Sequence, residues 1–162
     1  MRKFCDAFLA RFGVETIYYD PLIGADIAAL LTPRVKAVLV ESPGSLTFEV
    51  QDLPAISEAA HKVGAKVIVD NTWAAGCFFK PIRHGADISV QAGTKYLAGH
   101  ADLLIGTITS ADEGAARIIF RTLLQLGSIV SADDAILALR GLRTLKTRMA
   151  RHEESGLKLA KW

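Results

Sequence analysis

Apolar positions along the chain switch between a helical period and short continuous runs. Phe4, Phe8, Leu9 and Phe12 share one face of a helix over residues 2–12, and Gly13 ends it. Residues 14–19 (Val-Glu-Thr-Ile-Tyr-Tyr) predict a strand, broken by Asp20-Pro21. A short helix over 25–31 is closed by Thr32-Pro33. Residues 36–42 are almost continuously apolar, the pattern of a strand buried on both faces. Leu53, Ile56, Ala59, Ala60 and Val63 return to the helical period over 52–63, with Gly64 placed to cap the C-terminus. Further strands are predicted at 65–69, 87–91 and 103–109, with turn signals through 74–85. Helical patterns occupy 111–126 and 132–162.

Strands alternating with helices predict an α/β fold, with mostly parallel strands, right-handed crossovers and helices on both sheet faces. Ligands of such sheets bind beyond the carboxyl ends of the strands. That directs attention to three loops: 42–45, 70–73 and 91–100.

Composition narrows the function classes. The 162 residues are 51% hydrophobic and 22% charged, with a net charge of +2. Charges of both signs are interleaved, which gives no electrostatic argument for nucleic acid or a membrane surface. The basic run Arg140 to Arg148 reads as a solvated helix face pairing with Glu153 and Glu154. No apolar stretch approaches the roughly 20 residues that span a bilayer, and the first residues carry no apolar secretory core. A cytoplasmic protein is expected. Cys5 and Cys77 lie in no metal or redox spacing and are expected to be buried, reduced thiols.

Two residues carry the candidate chemistry. The run Val67-Ile68-Val69 ends in Asp70, and a carboxylate there is costly to desolvate without a cationic partner. Asp70-Asn71-Thr72 is also good turn chemistry. Lys95 stands among Gly93, Thr94, Ala98 and Gly99. It reads either as a solvated surface lysine or as a partly desolvated amine able to form a Schiff base. The small neighbours would let backbone approach a ligand, and Thr94 offers a hydroxyl and an N–H to a phosphate. His100 and Asp102 have no third ligand at metal-binding spacing and read as polar loop residues. His61, His84 and His152 read as surface residues.

These blocks bear a resemblance. Asp20-Pro-Leu-Ile-Gly-Ala-Asp26, Glu41-Ser-Pro-Gly-Ser45, Asp70-Asn-Thr-Trp-Ala-Ala-Gly76, Thr94-Lys-Tyr-Leu-Ala-Gly-His100 and Arg140-Gly-Leu-Arg-Thr-Leu145 are similar to those of the cysteine/methionine-metabolism family of pyridoxal-phosphate enzymes. The resemblance implies an aspartate-aminotransferase-like (fold type I) large domain and a homotetrameric parent. It implies pyridoxal 5'-phosphate as cofactor, with Lys95 as the Schiff-base lysine and Asp70 pairing with the ring nitrogen. Thr94 would help hold the phosphate, Ser45 would lie near the ring edge, and Thr72 would be a further cofactor contact.

The branch it resembles most cleaves a carbon–sulfur bond by β-elimination, in methionine biosynthesis. Cystathionine would yield homocysteine, pyruvate and ammonia, with Lys95 taking the Cα proton. A γ-synthase or γ-lyase reaction and an inactive remnant are the alternatives. Ala92 stands where relatives often carry a serine that binds phosphate, and Leu124 where close lyases carry a tyrosine. Family members run to about twice this length, a size for two or more domains. Residues 1–162 would therefore be the central part of the large domain, without an N-terminal segment and a C-terminal small domain.

Overall fold

The computed structural model describes all residues from Met1 to Trp162. Four strands form one sheet in chain order: β1 (Ala37–Glu41), β2 (Lys66–Asp70), β3 (Ile88–Ala92) and β4 (Gly106–Ser110). The helices are α1 (Arg2–Ala7), α2 (Leu53–Lys62), α3 (Glu113–Gln125), α4 (Ala132–Leu142) and α5 (Leu145–Lys161). Short 3₁₀ turns cover Leu9–Phe12, Gly24–Leu30 and Pro81–His84.

The start and end of α2 follow from local chemistry. The Asp52 carboxylate accepts from the Ala55 N–H at 3.1 Å, which satisfies one of the free donors of the first turn. Pro54 lies in that first turn, where it costs no helical hydrogen bond. Gly64, at φ +77°, supplies the left-handed residue that closes the helix. The apolar face of α2 covers one side of the sheet. Val38 and Val40 from β1 and Val67 and Val69 from β2 meet Leu53 and Ile56 there, with Ile27 closing the cluster.

Alternation along the strands then decides where the chemistry goes. Successive side chains point to opposite faces, so Leu39, Glu41, Ile68 and Asp70 lie on the face away from α2. Glu41 pairs with Asp70, and Asp70 pairs with Val90, in the parallel register.

The sheet is mostly parallel, as expected, and β4 alone runs antiparallel, to β3. The intervening residues 93–105 contain no crossover helix, and a parallel return usually requires one. Residues 14–19 join no ladder and form no strand. An extended segment becomes a strand only when another strand pairs with it; here the contact with β1 is made by one side chain, with Tyr19 Oη 3.0 Å from the Leu39 carbonyl oxygen. The helix predicted over 132–162 is two helices. It turns at Arg143-Thr144, where the Thr144 hydroxyl donates to the Gly141 carbonyl at 3.2 Å.

The cysteines and the basic run also differ from expectation. Cys77 is exposed and Cys5 only half-buried, both as free thiols. Cys77 sits in the turn after β2, outside the packed cluster. Within the basic run, Arg140 pairs with Asp102 rather than with Glu153 or Glu154, and the partner of Glu154 is Arg151. Arg148 folds back onto Gly141.

Candidate active site

The carboxyl ends of β1, β2 and β3 form one rim. Asp70 is the last residue of β2 and is half-buried. Its Oδ1 accepts from the Thr72 N–H at 3.0 Å and from the Thr72 hydroxyl at 2.6 Å. The turn reading of Asp70 is therefore realised, yet it engages only one oxygen. Oδ2 has no protein partner and is free to accept a proton-bearing nitrogen.

Thr72 is 5% exposed and couples two strands. Its oxygen also accepts from the Ala92 N–H at 2.8 Å, at the end of β3. Lys95 begins three residues later, so one hydroxyl ties the carboxylate to the strand that leads into the lysine turn. In that turn the Lys95 N–H donates to the Ala92 carbonyl at 3.0 Å, and the Lys95 carbonyl accepts from the Gly99 N–H at 2.8 Å. The side chain is exposed and enters none of the seven ion pairs. Of the two readings of Lys95, the structure realises the solvated one, with no carboxylate holding the amine.

Ser45 lies in the loop after β1 and donates to Glu41 Oε1. The sequence reading gives Glu41 only as the first residue of the Glu41–Ser45 block, with no role of its own, although a signal for one is present. Ala37-Val-Leu-Val-Glu41 and Lys66-Val-Ile-Val-Asp70 share the pattern of an apolar run ending in a carboxylate. In register, the two acids stand side by side at the rim. Phe48 and Trp73, with ring centroids 5.6 Å apart, join the first two loops across the strand ends. Leu46, Phe48 and Ala75 adopt positive φ values of 73°, 63° and 50°, so backbone strain is concentrated in the loops around the rim.

Thr94 is engaged within the chain. Its hydroxyl accepts from the Ile105 N–H at 2.9 Å and donates to the Ile105 carbonyl at 3.2 Å. The hydroxyl pins the lysine turn to the start of β4 and is not turned toward a ligand. The glycines behave similarly. A Cβ on Gly93 would lie 2.8 Å from Ile105 Cγ2, and one on Gly99 would lie 2.4 Å from Arg148 Cζ. The close approaches at Gly93 and Gly99 are therefore to protein. His100 Nδ1 lies 2.9 Å from the Ala98 carbonyl, and no cluster of acidic, histidine or cysteine residues could hold a metal ion.

The donor set suits an aromatic aldehyde with a basic ring nitrogen. A carboxylate with one free oxygen and an unpaired amine stand at the ends of adjacent strands. A carboxylate and an amine match the ring nitrogen and the aldehyde of pyridoxal phosphate in chemistry, and the Thr94 hydroxyl is engaged with Ile105.

Comparison with known proteins agrees with this chemistry. The model of the Cys/Met metabolism PLP-dependent enzyme family matches residues 1–162, and the chain belongs to that family. It is 52% identical over 161 residues to a putative cystathionine beta-lyase of Saccharomyces cerevisiae, covering 99% of this chain and 47% of that protein. It is 48% identical over 163 residues to the cystathionine beta-lyase of Escherichia coli, covering 99% and 41%. The crystal structure of cystathionine gamma-lyase from Lactobacillus plantarum superposes with a TM-score of 0.95 at 29% identity, over 99% of this chain and 42% of that one. The fold is thus that of the fold type I enzymes, and the chain spans less than half the length of the relatives it matches.

Proposed function

We propose that the chain is the cofactor-holding segment of a pyridoxal-phosphate-dependent carbon–sulfur lyase that cleaves cystathionine by β-elimination. The observation that carries this reading is the pairing at the rim: Asp70 with a free Oδ2 and Lys95 with an unpaired amine, joined through Thr72. Identity of about half the residues to two cystathionine beta-lyases supports the substrate and the reaction type.

Each residue then has a task. Asp70 keeps the ring nitrogen protonated, and Thr72 holds Asp70 at the angle that task needs. Lys95 anchors the cofactor covalently, and as a free amine it takes the proton from the substrate Cα. Ser45, steadied by Glu41, borders the ring edge. Thr94 acts through its backbone and through the position of its turn. Bound there, pyridoxal phosphate supplies a sink for the electron pair left at Cα. Loss of the Cβ–S bond releases homocysteine, and hydrolysis of the remainder gives pyruvate and ammonia. The substrate is a small amino-acid thioether, and a cytoplasmic homo-oligomer is the setting we assign. No helix is long and apolar enough to cross a membrane.

The reading is tested by borohydride reduction of the chain after incubation with pyridoxal phosphate, followed by peptide mass spectrometry. The expected result is one dominant adduct at Lys95 that disappears in Lys95→Ala. Adducts spread evenly over the lysines, unchanged in total by Lys95→Ala, would overturn it. The similarity in backbone to a γ-lyase structure keeps γ-cleavage as the second reading. Any turnover of cystathionine should yield pyruvate; 2-oxobutyrate alone would assign the second reading.

A further inference from the structure

We propose that the corner between α4 and α5, through Gly141, Arg148 and the Arg140–Asp102 pair, is a positioning device for Lys95. The inference rests on the reading of Lys95 as the Schiff-base lysine and adds the residues that hold it from behind. The basic run that contains them invites a solvated or nucleic-acid-binding interpretation. Its two key guanidinium groups instead face protein.

Gly141 makes the closest approach. It is buried in α4, and a Cβ there would lie 2.1 Å from the Ala98 carbonyl oxygen and 2.3 Å from that of Leu97. No other residue fits without moving the backbone of the lysine turn. Arg148 locks the same turn from α5. Its Nη2 donates to the Gly141 carbonyl at 2.9 Å, and its Nε donates to Thr144 Oγ1 at 3.0 Å. Thus fixed, the guanidinium fills the space where Gly99 lacks a side chain. Gly99, at φ +68°, closes the turn by donating to the Lys95 carbonyl. Below it, Leu145 and Met149 pack with Ala75, Tyr96 and Leu97. On the far side, Arg140 holds Asp102 in the loop that leaves the turn.

The physical need is plain. A lysine amine sits at the end of four flexible carbons, so its reach is set by where its backbone is held. A displacement of about 1 Å in a reacting group can cost a hundredfold in rate. The turn has no regular element of its own to stiffen it; α4 and α5 supply the stiffness.

The test compares Arg148→Gln, Gly141→Ala and Asp102→Asn with Arg143→Gln, an exposed member of the same run that enters no ion pair. Two readouts are used on the purified chain with pyridoxal phosphate: the rate of borohydride-trapped labelling at Lys95, and the pH midpoint of the near-visible absorbance of the lysine-bound cofactor. Labelling should fall at least ~10-fold in Arg148→Gln and Gly141→Ala, with a shifted midpoint. Arg148→Lys should recover part of the loss, and Arg143→Gln should match the wild type. Asp102→Asn breaks only the exposed pair, so it keeps the test open if Gly141→Ala does not fold, and a smaller loss is expected. Equal labelling and equal midpoints in all folded variants would overturn the proposal while leaving Lys95 as the attachment point. A wild-type chain labelled elsewhere than Lys95 would instead overturn the function on which the proposal rests.

Discussion

Replacing Thr72 with valine tests the joint on which the rim depends. Valine keeps the shape and removes the hydroxyl. Two bonds go with it: the short bond donated to the Asp70 carboxylate, at 2.6 Å, and the one accepted from the Ala92 N–H, at 2.8 Å. A hydrogen bond to a charged group contributes roughly 1.5–3 kcal/mol, and a buried N–H left without an acceptor costs about 1–3 kcal/mol. Such terms overlap, so a loss of about 3 kcal/mol is expected locally. The backbone bond from the Thr72 N–H to Asp70, at 3.0 Å, survives and keeps the turn from dissolving. Amide hydrogen exchange at Ala92 reads the effect where it occurs. At ~1.4 kcal/mol for each factor of ten, exchange there should speed up on the order of a hundredfold. Thr72→Ser should stay near wild type, because the hydroxyl returns. The Asp70 carboxylate in Thr72→Val, no longer fixed, should also hold pyridoxal phosphate more weakly. Unchanged Ala92 exchange in Thr72→Val would refute the claim that this hydroxyl couples the two strand ends.

Two further outcomes follow from the opposite end of the sheet and from the surface. Burial alone would raise the Asp87 carboxyl, but hydrogen bonds from Lys66, the Val67 N–H and His61 bring it down from 3.8 to about 2. Its side chain is 19% exposed, whereas Lys66 is 60% exposed, so the energetic weight falls on Asp87. A depressed carboxyl contributes in full above its ordinary value and is lost as pH falls toward its folded value. Acid denaturation should therefore remove about 2 kcal/mol between roughly pH 4 and 2, and Asp87→Asn should flatten that limb. An identical acid limb in Asp87→Asn would contradict the assignment. Phe4, Phe8 and Phe12 stack in an exposed stripe, and α3 buries no side chain, leaving Ile118 and Phe120 open. Sedimentation at micromolar concentration should show association that Phe8→Glu and Phe120→Glu together reduce; a monodisperse wild-type monomer would count against it.

What could be read from the sequence, and what could not, divides by the range of the interactions involved. α2 carries its signals locally, in its helical apolar period and in Gly64, and those were legible. β1 and β2 were legible because apolar runs of that length have few other uses. Residues 14–19 are also rich in strand-forming residues, but a strand is a property of a pair, and no period in one segment reveals whether its partner is in place. The direction of β4 was hidden for a related reason: it depends on the absence of a helix in residues 93–105, where glycines and a lysine drew attention to chemistry instead.

The same distinction explains the site. Asp70 and Lys95 stand out in the sequence because each ends or follows a recognisable run, and neither alone can be told from a turn or surface residue. Their joint meaning depends on Thr72, whose hydroxyl reaches across 20 positions to Ala92. Sequence proximity suggested that Gly93 and Gly99 had been made small for a ligand. The folded chain assigns their missing side chains to Ile105 and Arg148. A glycine reports that something comes close, not what it is. Around Lys95 the thing that comes close is the chain's own α4–α5 corner. Ala98 and Gly99 after the lysine and the Arg140–Arg148 run, which looked like two unrelated features, are the two halves of one contact.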